Sequence, residues 1–170
     1  MVFFGDAFDG ATDDALRLLD YVKYNFKGID KKRIAVYGES RGGTVALLMG
    51  IRNSSINGVI SAAGPTNFFS EEVYNRYGLQ YKYQFLSEKK SLAKLREKII
   101  KSSPIYFIEN YQNNLLLIHG KNDKTVPISN TRKLIKKLNK KVNLDTLITN
   151  GGHTNNQLNK VIIWLNDKNT

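Results

Sequence analysis

The sequence predicts an α/β fold on a mostly parallel sheet flanked by helices. Two patterns carry the prediction. Short apolar, branched runs at 33–37, 58–63, 115–118 and 142–148 have the length and composition of strands. Between them lie longer segments whose apolar residues recur at helical spacing. Strand and helix alternate, and nothing in the 170 residues marks a linker, a repeat or a low-complexity tract. One domain spanning 1–170 is expected, since a chain of that size hides roughly two-thirds of its unfolded surface.

Residues 9–26 read as the first helix, with Ala15, Leu18, Leu19 and Val22 at helical spacing. Thr12 or Asp9 is a candidate cap, Asp13 and Asp14 suit the positive end of the helix dipole, and Gly28 supplies a stop. The run 33–37 closes at Gly38 as a buried strand, and a helix follows over 41–51. The strand at 58–63 ends at Gly64-Pro65. The stretch 66–113 is less regular. Tyrosines crowd its segment 71–85, as cover for the sheet or as the lining of a substrate pocket, and 87–101 reads as a basic amphipathic helix with Leu92, Leu95 and Ile99 on one side. The strand 115–118 runs into His119-Gly120, a helix covers 129–138, and the last strand covers 142–148. After the turn Asn150-Gly151-Gly152, His153 opens a final helix carrying Leu158, Ile162 and Leu165.

Composition narrows the function. Hydrophobic residues make up 41% of the chain, which argues against disorder. The formal net charge of +11 admits a nucleic-acid or anionic-surface partner. The lysines, however, are spread over several segments, at Lys31-Lys32, Lys89-Lys90, Lys136-Lys137 and Lys140-Lys141, and no aromatic-rich nucleic-acid motif accompanies them. A solvated basic surface is the expected reading, with no nucleic-acid partner. With no cysteine there is no disulfide, thiolate metal site or Cys nucleophile. No apolar run approaches the roughly 20 residues of a membrane span. The segment Met1-Val2-Phe3-Phe4-Gly5-Asp6 does not read as a signal peptide, so a cytoplasmic location and no membrane partner are expected.

The first chemical signal is Gly38-Glu39-Ser40-Arg41-Gly42, a G-x-S-x-G pattern between a predicted strand and a predicted helix. That context is the nucleophile elbow of α/β-hydrolases. The tight turn calls for Gly38 and Gly42 on either side of the serine, where side chains would meet backbone. A phosphate-cradling turn is the competing reading, but neither a G-x-G-x-x-G nor a P-loop lysine is present. A serine nucleophile needs a base, and the chain has two histidines. The hydrolase chain order is Ser, acid, His. His153, after the last predicted strand, completes that order; His119 reads as a hydrogen-bonded structural residue at a strand end. Asp123 is the acid by position, because Asp145 lies inside the last strand and Asp167 lies beyond His153.

Three motifs then resemble one family. His119-Gly120-x-x-Asp123-x-x-Val126-Pro127 is similar to the segment around the catalytic Asp of prolyl-oligopeptidase-like hydrolases. Residues 29–43 resemble the same family's elbow, and Ser103-Pro104 ahead of the strand at Leu115 also fits. The resemblance runs from about Asp9 to Leu165. It implies a partial α/β-hydrolase fold, with Ser40 attacking an ester or amide carbonyl, His153 moving the proton and Asp123 orienting His153. The backbone N–H of Arg41 would be one oxyanion donor. The implied activity is that of a serine-type peptidase or esterase acting on a peptide or small ester, with no cofactor and no metal.

Family members carry several strands ahead of the first helix, and with them the loop that supplies a second oxyanion donor. The sequence here has no room for those N-terminal strands, so a truncated domain is expected. A fragment of a longer reading frame is the favoured account. Dimerisation through an exposed sheet edge and patching of that edge by Phe3-Phe4 are the alternatives. Two further functions stay open at this level: a catalytically impaired remnant of such a hydrolase, and a basic binding module.

Overall fold

The computed structural model describes residues 7–73, 75, 91–153 and 157–168. Four strands, β1 (Ala35–Glu39), β2 (Gly58–Ala62), β3 (Asn114–Gly120) and β4 (Asn143–Thr149), form one sheet in the order β1-β2-β3-β4. Every pair is parallel, and the strands run level: Glu39, Ala62, Ile118 and Leu147 fall in one row across the sheet. The described helices include α1 (Asp9–Asn25), α2 (Arg41–Arg52), α3 (Leu92–Lys101), α4 (Ser129–Ile135) and α5 (Leu158–Lys168). Parallel strands need a crossover, and α2 supplies the one between β1 and β2, as α4 does between β3 and β4.

The two faces of the sheet divide the core. Leu115 and Leu117 of β3 point to one face and pack with Val59, Ala46 and Leu47 and with Ala15, Leu16 and Leu19 of α1. Leu116 and Ile118 point to the other and meet Ile60 and the α5 residues Val161, Trp164 and Leu165. This alternation follows from the period of two along a strand. Because both faces are covered, β2 is buried along its whole length, as central parallel strands are. On its other side, β1 pairs with no strand among the described residues.

Several sequence expectations need correction. In α1, Leu18 is exposed and Leu16, partly buried, packs against the core instead. The α1 N-cap is Phe8 without a side-chain cap; the Thr12 hydroxyl instead donates back to the Phe8 carbonyl at 2.6 Å. In α5, Leu158 and Ile162 are about half exposed, while Val161 and Trp164 are buried. The reason is polar as well as apolar: Trp164 Nε1–H donates to Asp145 Oδ2 of β4 at 2.8 Å, which turns that stripe inward. This hydrogen bond and Lys168 hold the Asp145 pKa below the usual carboxylate value. The last helix begins at Leu158 rather than at His153, and α4 ends at Ile135, three residues short of expectation. In α3, Leu95 and Ile99 pack on Phe8, Phe68 and Val73, but Leu92 is exposed. Most of the tyrosine-rich segment, and Phe3-Phe4, lie outside the described residues.

Arg52 closes the assembly at the end of α2. Its guanidinium pairs with Asp9 and, at 2.9 Å, with Asp13 of α1, and donates to the Lys101 carbonyl of α3 at 3.2 Å. The Phe8 and Phe68 rings, with centroids 4.4 Å apart, pack with Leu95 and Ile99 of α3.

Candidate active site

All the candidate side chains lie beyond the carboxyl ends of the strands. Ser40 follows β1 directly and precedes the first residue of α2. Its backbone has φ 51° and ψ −119°, a region that side-chain-bearing residues seldom occupy. The strain is held by hydrogen bonds on both sides: Ser40 N–H donates to the Ala62 carbonyl at 2.8 Å, and Gly43 N–H to the Ser40 carbonyl at 3.0 Å. A Cβ on Gly38 would lie 2.1 Å from the Gly42 carbonyl oxygen, so position 38 admits no side chain. At position 42 the expectation was wrong, since a Cβ there meets nothing within 4 Å. The crowded partner is Gly43, whose Cβ would sit 2.8 Å from Ser61 Oγ and 3.1 Å from the Ala62 carbonyl oxygen. The need for glycine comes from the β2 end beside the elbow, which sequence spacing does not reveal.

Asp123 lies beyond β3 with its side chain fully buried. Oδ1 accepts from Thr125 N–H at 2.7 Å and from Val126 N–H at 2.8 Å. Oδ2 accepts from His153 Nδ1–H at 2.8 Å. A carboxylate only accepts, so the His153 proton sits on Nδ1. That leaves Nε2 as the acceptor for Ser40 Oγ–H at 2.9 Å. Ser40, His153 and Asp123, taken from three separate loops, therefore form one hydrogen-bonded line.

The loop bearing His153 is strapped to the loop bearing Asp123. Lys121 N–H donates to the Thr149 carbonyl at 2.8 Å and Asn122 N–H to the Gly151 carbonyl at 3.0 Å. The approach is close enough that a Cβ on Gly120 would lie 2.3 Å from the carbonyl oxygens of both Gly151 and Gly152. Asn122 escaped notice in the sequence, although it stands inside the His119–Asp123 motif.

His119 is buried, as expected of a structural residue. Nε2–H donates to the Val126 carbonyl at 2.9 Å and lies 3.3 Å from Asp123 Oδ2, while Nδ1 faces Thr131 Oγ1 at 2.7 Å. A carbonyl only accepts, so the ring is the Nε2–H tautomer and Thr131 donates to Nδ1. Burial pushes the His119 pKa below its ordinary value, which keeps the ring neutral.

Arg41 opens α2, and the first N–H groups of a helix have no acceptor within it. The Arg41 N–H, next after Ser40, thus stands at the positive end of the α2 dipole. Among the described residues no group of three His, Asp or Glu side chains is placed to hold a metal ion, and no helix is long and apolar enough to cross a membrane.

A parallel sheet with helices on both faces, a strained serine between strand and helix, and an acid and a histidine beyond later strands define an α/β-hydrolase fold. Residues 6–138 match the family model BD-FAE, and the chain belongs to that family. The match takes in Ser40 and Asp123 and stops before His153. Among solved structures the chain is similar to an acetyl xylan esterase from a Paenibacillus species (TM-score 0.75, 19% identity, covering 93% of this chain and 52% of that one). It is similar to the 2,6-dihydroxy-pseudo-oxynicotine hydrolase (TM-score 0.77, 17% identity, 97% and 48%) and to Porphyromonas gingivalis dipeptidyl peptidase 4 (TM-score 0.71, 20% identity, 92% and 22%). The chain thus spans about half the length of the first two and about a fifth of the third. The resemblance to prolyl-oligopeptidase-like hydrolases holds at the level of the fold. No curated protein matches the sequence.

Proposed function

We propose that the chain carries the catalytic residues of a serine hydrolase that cleaves ester or peptide bonds through an acyl-enzyme. The observation that supports this most directly is the continuous line from Ser40 Oγ–H to His153 Nε2 at 2.9 Å and from His153 Nδ1–H to Asp123 Oδ2 at 2.8 Å. Ser40 Oγ attacks the carbonyl carbon as its proton passes to His153 Nε2. The carbonyl oxygen takes the electron pair and faces the Arg41 N–H. When the intermediate collapses, His153 returns that proton to the leaving oxygen or nitrogen, and the acyl group stays on Ser40. Water, deprotonated by His153, then releases the acid and restores Ser40. Asp123 holds the Nδ1–H tautomer throughout and stabilises the imidazolium that forms.

The BD-FAE match and the likeness to an acetyl xylan esterase favour an ester over a peptide. A fluorophosphonate probe tests the reading, with the adduct located by mass spectrometry and Ser40→Ala as control. Labelling confined to Ser40 supports it. A folded chain that stays unlabelled would leave the arrangement a relic, the catalytically impaired alternative.

A further inference from the structure

We propose that His119 is a positioning residue for the acid of this site: its Nε2–H, fixed in that tautomer by Thr131, holds the Asp123 carboxylate in the orientation that receives His153. The inference rests on the triad reading above and extends it to a residue that neither touches Ser40 nor fits the Ser-acid-His order.

The geometry goes beyond ordinary packing of a buried histidine. The Asp123 side chain ends in a torsion of roughly two-fold symmetry, so its two oxygens are readily exchanged unless each is separately engaged. Oδ1 is engaged by two backbone N–H groups of the following turn. Oδ2 serves His153, and among the described residues no backbone N–H is bonded to it. His119 Nε2–H, whose hydrogen bond goes to the Val126 carbonyl, lies 3.3 Å from Oδ2 and turns the positive end of its dipole toward it. The Val126 N–H in turn binds Asp123 Oδ1. His119, Val126 and Asp123 thus close a ring of polar contacts, two of them hydrogen bonds, in which both carboxylate oxygens face an N–H.

The direction of the His119 proton decides whether the ring holds. With the proton on Nδ1, a lone pair at Nε2 would face a carbonyl oxygen and a carboxylate oxygen in a buried place, an arrangement that repels. The Thr131 hydroxyl, 2.7 Å from Nδ1, prevents this by donating there. Thr131 is itself held in place by α4, whose neighbour Asn130 accepts from Thr66 N–H at 3.2 Å and takes the Thr66 hydroxyl on its carbonyl at 3.1 Å. The acid is therefore set by the packed helix after β3 as well as by its own loop.

The test compares His119→Leu, which removes every donor, with His119→Gln, whose side-chain amide can still donate toward Asp123. Two readouts are taken on folded chain: the rate of fluorophosphonate labelling at Ser40, and the low-field proton resonance of His153 Nδ1–H. We expect the Leu variant to label about 10–100-fold more slowly, the range typical of residues that orient a catalytic ligand from behind. We expect its low-field proton to broaden or vanish, and the Gln variant to recover much of both. A folded Leu variant with the wild-type rate and an unchanged low-field proton overturns the proposal. If the Leu variant does not fold, Thr131→Val decides, because the Thr131 hydroxyl bonds His119 rather than Asp123 or His153: slower labelling with a changed His119 nitrogen spectrum supports the proposal, and wild-type behaviour overturns it. If wild-type chain fails to label, the hydrolase reading falls, yet the resonance still judges His119. A low-field proton that depends on His119 supports the positioning role, and one that is absent from wild type or indifferent to His119 overturns it.

Discussion

Asn122 donates its side-chain Nδ2–H to the carbonyl of Asn150 at 2.7 Å. The bond joins the Asp123 loop to the His153 loop, next to the backbone bond from Asn122 N–H to Gly151. Truncation at Asn122 removes the side-chain strap and leaves the backbone one. Asn122→Ala is expected to lower stability by only about 1 kcal/mol, the worth of one exposed hydrogen bond. Its labelling at Ser40 should fall more than that loss implies, because the base is no longer held at its distance. Urea unfolding and probe kinetics on the same preparation check the two effects separately.

Gly120→Ala forces the same two loops apart. The added Cβ would meet the Gly151 and Gly152 carbonyl oxygens at 2.3 Å, and backbone has to move to admit it. Overpacking of this kind costs about 1–3 kcal/mol. A displacement of His153 near 1 Å is expected to slow acylation on the order of 10²-fold. Near-wild-type labelling of this variant would mean that the strap does not set the position of the base.

Ser40→Gly is expected to stabilise the fold while abolishing labelling. The backbone of Ser40, at φ 51°, carries a cost of about 1–3 kcal/mol that glycine does not bear. Glycine gives back roughly 0.4–1 kcal/mol through the greater freedom of the unfolded chain. A net gain of about 1 kcal/mol corresponds to a rise in Tm of roughly 2–4 °C for a chain of this size. A Tm below that of Ser40→Ala would show that the elbow is not strained.

Acid should weaken the fold through His119. Burial lowers its pKa in the folded chain, so below the unfolded value of about 6.5 the unfolded chain binds the extra proton first. The contribution of neutral His119 is complete above about pH 6.5 and is lost as pH falls toward the folded value. Urea midpoints measured at about pH 7.5 and about pH 5 should fall more for wild type than for His119→Gln, which has nothing to titrate at that position. Equal falls would assign the acid sensitivity to other groups.

Much of the site was legible because its chemistry is written locally. Gly38 through Gly42 between a strand and a helix, a later His-Gly-x-x-Asp, and a histidine after the last strand are each short-range patterns, and the chain order ties them together. The alternating elements were legible for the same reason. What escaped the sequence depends on contacts between distant elements. Helical spacing offers both Leu158 with Ile162 and Val161 with Trp164 as the inner stripe of α5; the hydrogen bond from Trp164 to Asp145 of β4 decides between them. Leu16 replaces Leu18 in α1 through the seating of that helix on α2. The crowding at Gly43 comes from Ser61 and Ala62, about twenty residues away. The link from His119 to Asp123 needs the side chain of Thr131 to fix a proton, and no motif records that.

The level register of the strands sets how far Ser40, Asp123 and His153 each stand from the sheet. Starting from the common row of Glu39, Ala62, Ile118 and Leu147, Ser40 comes one residue later, Asp123 five and His153 six. Adding or deleting a residue shifts an extended chain by about 3.3 Å, more than any hydrogen bond in the line tolerates. Changes of loop length between Ile118 and Asp123, or between Leu147 and His153, would have to occur in compensating pairs to keep the acid and base in phase. Length is held in these two short spans and at the Ser40 elbow, so loops that lengthen without disturbing the line must do so elsewhere in the chain.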